Sequence, residues 1–194
     1  MKMLEKPLKR EARVLGIDDG PYVRGSDRTA IVMTVYRLNG YIDGIIASTV
    51  ETDGPDSSSV ISKELNVSRF RDQIRCILSD GACLAGFNVL DMDDLFERTG
   101  IPVLTVSDES PDTESVGSAL RENFGDWERR LKLITCHRPH PLDLPDGVCY
   151  VREKGISPKS ADDIIMRCTV RGRTPEPVRI SHMVASAVQS LRGG

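Results

Sequence analysis

Two β-rich runs, Ala30 to Leu38 (AIVMTVYRL) and Tyr41 to Val50 (YIDGIIASTV), are separated only by Asn39-Gly40. Asn-Gly accepts the positive backbone angles of a type I′ turn, whose twist suits paired strands, so the runs predict an antiparallel hairpin. Just upstream, Val14-Leu15-Gly16-Ile17-Asp18 reads as a short apolar strand ending in carboxylates. A strand followed by a hairpin gives the chain a three-stranded antiparallel opening.

The remainder alternates. After Thr52-Asp53-Gly54-Pro55 the pattern turns helical, with Asp56 to Ser59 as caps and Val60, Ile61, Glu64 and Leu65 near helical spacing. Ile74 to Leu78 (IRCIL) predicts a buried strand with Asp80 at its end, and Asp91 caps a helix that stops at Gly100. Pro102 to Val106 is the next strand, Thr113 to Leu131 is mostly helical with a break near Gly125, and Gly147 to Arg152 is the final strand. Ser157 with Pro158 at the first helical position opens one further helix, and Glu176 to Leu191 forms the last. The result is an α/β fold, a mixed sheet with helices on both faces. No repeat, linker or second domain interrupts it, so residues 1–194 read as one domain with a basic leader over residues 1–13.

Charge is segregated along the chain. The leader carries Lys2, Lys6, Lys9, Arg10 and Arg13 against Glu5 and Glu11, and the tail carries Arg171, Arg173, Arg179 and Arg192 against Glu176. The whole chain is nevertheless −3, which argues against a broad nucleic-acid-coating surface and leaves room for a local basic rim. The five cysteines form no C-x-x-C pair, as in a reducing compartment. The charged N-terminus does not read as a signal peptide, and no apolar run approaches the roughly 18 residues of a membrane span. A cytoplasmic protein without membrane association is expected.

Two acids follow apolar strands and precede glycine: Asp18, with Asp19, in GIDDG, and Asp80 in ILSDG. Ligands bind at the carboxyl ends of strands in open α/β sheets. If the two strands are neighbours, the carboxylates share a crevice, where like charges need a cation between them. Hard oxygen ligands favour Mg²⁺ or Mn²⁺. Asp-Gly as a plain turn is the competing reading.

The order VLGIDDG, hairpin, helix, strand with DG, helix and PVLTV resembles endonuclease V, a ribonuclease H-like nuclease family acting on deaminated bases. Arg173-Thr174-Pro175-Glu176-Pro177-Val178-Arg179-Ile180-Ser181-His182 is similar to that family's LPEPxRxAD lead-in to its last helix. The run from Asp80 through Ala85-Gly86-Phe87-Asn88 to Asp91 resembles instead a mainly archaeal, endonuclease V-like sister family, over a stretch from about Arg13 to the end. The resemblance implies a ribonuclease H-like fold and a divalent-metal-dependent nucleic-acid phosphodiesterase acting in repair or processing, with Asp18 and Asp80 as metal ligands. The nuclease family's PGxLxxRE glutamate has no counterpart. Gly54-Pro55-Asp56-Ser57 lies in its place, which makes Asp56 a stand-in ligand and Asp19 an outer-shell base or orienter. The family's HPR motif and its lesion-sensing wedge are also missing, and a binding module that has lost catalysis is the alternative. An actin-like phosphotransferase, which GIDDG also resembles, would need a second lobe.

The remaining candidates are weighed against plainer roles. Arg173, Lys9 and Arg10 are the basic residues for a nucleic-acid rim, and the Asn88 amide is a candidate for the same crevice. His182, beside the apolar stripe of the last helix, reads as a packing or capping residue. Asp162 is a weaker acid candidate from a late helix. In Cys136-His137-Arg138-Pro139-His140 the prolines keep the chain extended and no second cluster completes a tetrahedral zinc set, so zinc is not expected there.

Overall fold

The structure is a computed structural model that describes residues 4, 5, 7–23, 26–110 and 112–192. Seven strands share one sheet: β1 (Arg13–Asp19), β2 (Arg28–Arg37), β3 (Ile42–Glu51), β4 (Ile74–Asp80), β7 (Val103–Ser107), β8 (His140–Leu144) and β9 (Gly147–Lys154). Their spatial order is β3-β2-β1-β4-β7-β9-β8. Between β4 and β7 the chain adds a small hairpin, β5 (Cys83–Leu84) with β6 (Asn88–Val89). The pairs β1/β4 and β4/β7 are parallel and the remaining pairs antiparallel, so the sheet is mixed, as the sequence predicts.

Helices cover both faces. α1 (Ser57–Val67) and α2 (Met92–Thr99) lie on the face that buries Leu15, Ile17, Ile31 and Ile77 with Ile61, Leu65 and Leu95. α5 (Pro158–Cys168) and α6 (Glu176–Arg192) lie on the other, over Val14, Cys76, Leu78 and Val151. Consecutive residues of β1 and β4 thus enter different cores, which is why these strands read as continuous apolar runs. Burying each such side chain contributes about 1.5–3 kcal/mol. α3 (Thr113–Asn123) and α4 (Trp127–Thr135) form a third, smaller cluster around Leu120, Ile134 and Val89, broken at Gly125 as expected.

Two local expectations change. The first hairpin is not a two-residue type I′ turn. Arg37 accepts a hydrogen bond from Gly40 N–H and donates to Tyr41 O, so Leu38, Asn39 and Gly40 make a three-residue loop. Gly40 alone takes positive φ (+101°), while Leu38 is buried in the core and donates to Ala12 O. Tertiary burial of Leu38 thus selects the longer turn. Secondly, Gly147–Lys154 does not stand alone: β8 pairs with it antiparallel across the turn at 145–146. Pro141 is accommodated because β8 is an edge strand. No helix among the described residues is long and apolar enough to cross a membrane.

Candidate active site

Because β1 and β4 are parallel neighbours, Asp18, Asp19 and Asp80 lie at the same end of the sheet. Side-chain alternation sends Asp18 and Asp80 to the face covered by α6, the face that also receives Val14 and Leu78. Asp19 turns to the opposite face. There its Oδ2 accepts the Ala85 N–H at 2.8 Å, tying the strand end to the β5–β6 hairpin.

α6 is set unusually close to β1. A Cβ on Gly16 would lie 2.2 Å from the Pro177 carbonyl carbon, and one on Gly20 would lie 2.8 Å from Ala185 O. The glycines flanking Asp18 therefore admit the helix backbone, a use of glycine that the Asp-Gly turn signal does not disclose. Buried hydrogen bonds fix the seating: Ser181 Oγ lies 2.9 Å from Gly16 O and accepts from Thr34 N, and Gln189 Oε1 accepts from Ala30 N.

This seating carries His182 over Asp18, with Nδ1 3.0 Å from Asp18 Oδ2. The Asp18 side chain is 5% exposed and that of His182 61% exposed, so the pair links the floor of the crevice to solvent. Asp18 Oδ1 accepts the Asp19 N–H at 2.8 Å. Burial, and next the charge of Asp80, push the Asp18 carboxyl up to about 8. Asp80, at the open mouth of the crevice, is also raised, by desolvation and then by the charges of Asp108 and Asp19, while His182 opposes the shift. Asp108 follows β7 and is held by Arg173, whose Nη1 donates to its backbone oxygen at 2.8 Å.

The crevice thus brings together Asp18, Asp80, Asp108 and His182, with Asp19 behind and Arg173 at the rim. Its donors are mainly hard carboxylate oxygens, and burial together with neighbouring negative charge raises the carboxyls of both Asp18 and Asp80. That arrangement fits a divalent cation of the Mg²⁺ or Mn²⁺ type.

Other sequence candidates lie elsewhere. Asp56 is engaged by the fold: its Oδ1 accepts from Glu51 N (3.0 Å) and Asn88 Nδ2 (2.7 Å), and Arg28 lies 3.7 Å from its Oδ2. Asn88 is fully buried, accepting from Ser57 N and donating to Glu51 O as well as to Asp56, so its amide has no free valence for nucleic acid. Asp162 bonds His140 at 2.9 Å. Lys9 and Arg10 precede the start of β1, at the opposite end of the sheet, with the Lys9 carbonyl accepting from Arg167 on α5. Five residues of strand, at about 3.3 Å each, put that end roughly 17 Å from Asp18. The two basic ends of the chain therefore do not share one rim.

Two crevice residues escaped the sequence reading. His182 was signalled, since it occupies the last position of the segment that resembles LPEPxRxAD, but its place beside an apolar stripe favoured packing. Asp108 obeys the rule that picked out Asp18 and Asp80, an acid just past an apolar strand.

The sequence model described as endonuclease dU matches residues 10–189. A UPF0215 protein of Methanopyrus kandleri is 40% identical over 191 residues, covering 97% of this chain and 95% of the relative. A crystal structure of a protein of unknown function from Archaeoglobus fulgidus superposes with a TM-score of 0.81 at 34% identity, covering 91% of this chain and 98% of that one. Endonuclease V of Ciona intestinalis, solved with a 24mer DNA containing an inosine followed by a ribo-adenosine, gives a TM-score of 0.66 at 14% identity, covering 98% of this chain and 92% of that one. At that identity the likeness establishes the fold, which is ribonuclease H-like.

Proposed function

The chain belongs to the endonuclease dU family, and from that premise we propose that it is a divalent-metal-dependent endonuclease that cuts nucleic acid at deaminated bases, deoxyuridine first among them. The observation that carries this reading is the pairing of Asp18 with His182 in a crevice shared with Asp80. Asp18 and Asp80 would hold Mg²⁺ or Mn²⁺, with His182 beside them. When bound, such a cation supplies a water of lowered pKa and stabilises charge on the phosphate.

The chain's own groups have separable tasks. His182 Nδ1 stands 3.0 Å from Asp18 Oδ2; with Nδ1 as the donor of that bond, Nε2 would be the nitrogen free to take a proton from the attacking water or return one to the leaving oxygen. Asp19 holds the β5–β6 hairpin through Ala85 N and so shapes the wall beside the crevice. Arg173, paired to Asp108 at the rim, would meet a phosphate. Cleavage beside a deaminated base would be an opening step of nucleic-acid repair.

One observation favours a second reading, a module that binds without cutting. Asp56, the stand-in for the endonuclease V glutamate, is engaged by Glu51 N and Asn88. The two readings separate on a panel of deoxyuridine-, inosine- and abasic-containing strands with Mg²⁺ or Mn²⁺. The enzyme reading expects cutting of the deoxyuridine strand by the wild type and not by Asp18→Ala. Binding of that strand with no cutting under either metal would establish the module instead.

A further inference from the structure

Cys136 and His137 follow α4 directly, and Asp93 stands in the first turn of α2. The Cys136 sulfur, a His137 ring nitrogen and an Asp93 carboxylate oxygen lie within 4.8 Å of one another. His137 Nε2 is 3.4 Å from Asp93 Oδ1. Nitrogen and oxygen ligands at about 2.0–2.1 Å from a tetrahedral zinc stand roughly 3.4 Å apart. Both atoms are shut off from solvent; the His137 nitrogen completes no hydrogen bond among the described residues, and the Asp93 oxygen meets only the Lys154 ammonium besides it. The prolines do send His140 elsewhere, between Glu153 and Asp162. The donor that completes the cluster comes from another helix.

We propose that Asp93, Cys136 and His137 form a second cation site of the zinc class, distinct from the Asp18/Asp80 crevice. Sulfur with imidazole selects zinc, cobalt or cadmium, whereas magnesium requires oxygen. Three protein ligands leave the fourth position to water, and Cys136, on the exposed side of the cluster, leaves it open to solvent. The Lys154 ammonium touches Asp93 and is the competing cation. On metal binding it swings into solvent, keeping its proton, while the Cys136 thiol releases its proton to bulk water. The site would fasten α2 to the end of α4. α4 in turn supports the β5–β6 hairpin, because Arg130 Nη1 donates to Phe87 O at 2.6 Å.

The test is a Co²⁺ titration of metal-free full-length protein, followed through the thiolate-to-cobalt charge-transfer absorption, with competition by Zn²⁺. One equivalent should develop the band, excess Mg²⁺ should leave it in place, and the double variant Asp18→Ala/Asp80→Ala should keep it. Cys136→Ser, at an exposed position, should remove it. Zn²⁺ affinity should fall more than about 100-fold in His137→Ala, beyond the 10–100-fold loss typical of outer partners. Lys154→Gln should tighten binding. No band in the wild type, an equal band in Cys136→Ser, or its loss in Asp18→Ala/Asp80→Ala would overturn the site. Unchanged or weaker binding in Lys154→Gln would overturn the arrangement in which the metal replaces the ammonium.

Discussion

Two groups of aspartates stand at the same end of the sheet, and the fold treats them in opposite ways. Around the start of α1, Asp53 Oδ1 accepts from Phe87 N and Asp56 Oδ1 from Glu51 N and Asn88, so each carboxylate is matched to donors that hold a loop. On the central strands, roughly 10 Å or more across the sheet at about 4.8 Å per strand, Asp18 pairs with an exposed histidine. Burial and then the charge of Asp80 raise the Asp18 carboxyl, and burial and then the charges of Asp108 and Asp19 raise that of Asp80. Acids whose acceptors are taken up in holding loops build the molecule, whereas acids buried beside other acids are available to a cation. Residue type and position at a strand end do not separate the two groups. Only their partners do.

The largest expected effect tests that division directly. Asp18→Ala should lower metal-dependent cleavage by about 10³-fold or more, since a lost ligand removes several kcal/mol of charge stabilisation at about 1.4 kcal/mol per tenfold. Asp56→Ala should lower stability while leaving turnover per folded molecule near wild type. Single-turnover rates normalised to folded protein check both, and a silent Asp56→Ala rate would break the comparison.

Next in size, Asn88→Ala removes a buried side chain that bridges Ser57 N, Glu51 O and Asp56. Leaving those groups unmatched should cost about 3 kcal/mol. Urea denaturation measures it. A loss under about 1 kcal/mol would mean that the α1 network is not the structural member of the pair.

A pH effect sharpens the other side. The Asp18 carboxyl, raised to about 8 in the folded chain, lies far above its ordinary value of 3.8. A raised acid contributes stability that is present below the lower value and is lost as pH rises through the higher one. Metal-free wild type should therefore lose about 3–4 kcal/mol between pH 5 and pH 8, with Asp80 sharing the titration, and Asp18→Asn should flatten that slope. Denaturation midpoints across this range, with chelator present, decide it. A slope that persists in Asp18→Asn would assign it to other groups.

The smallest effect concerns the basic ends. Arg173→Ala should weaken binding of a deoxyuridine strand a few-fold and reduce the salt dependence by about one phosphate contact, while Lys9→Ala/Arg10→Ala should change neither. Fluorescence anisotropy over a salt series would show it, and the reverse pattern would place the nucleic acid at the other end of the sheet.

The sequence by itself determined most of the elements and most of the topology. Periodicity and capping are local, so β1, β2, β3, β4, β7 and β9, the helix from Asp91 to Gly100 and the one opened by Ser157-Pro158 were legible, whereas β8 and the β5–β6 hairpin were not. Asp18 and Asp80 were legible as an acid pair for a local reason too: each follows an apolar run and stands close before a glycine. What tertiary structure alone decided lies between distant segments. His182 reaches Asp18 across 164 positions, and Asn88 captures Asp56 across 32. Both contacts depend on how closely one element can approach another. α6 reaches β1 because Gly16 and Gly20 carry no Cβ, and the β5–β6 hairpin bends back through Ala85 (φ +47°) and Gly86 (φ +82°) to meet the start of α1. Close approach is a property of two surfaces together, and no local pattern in one chain segment encodes the other.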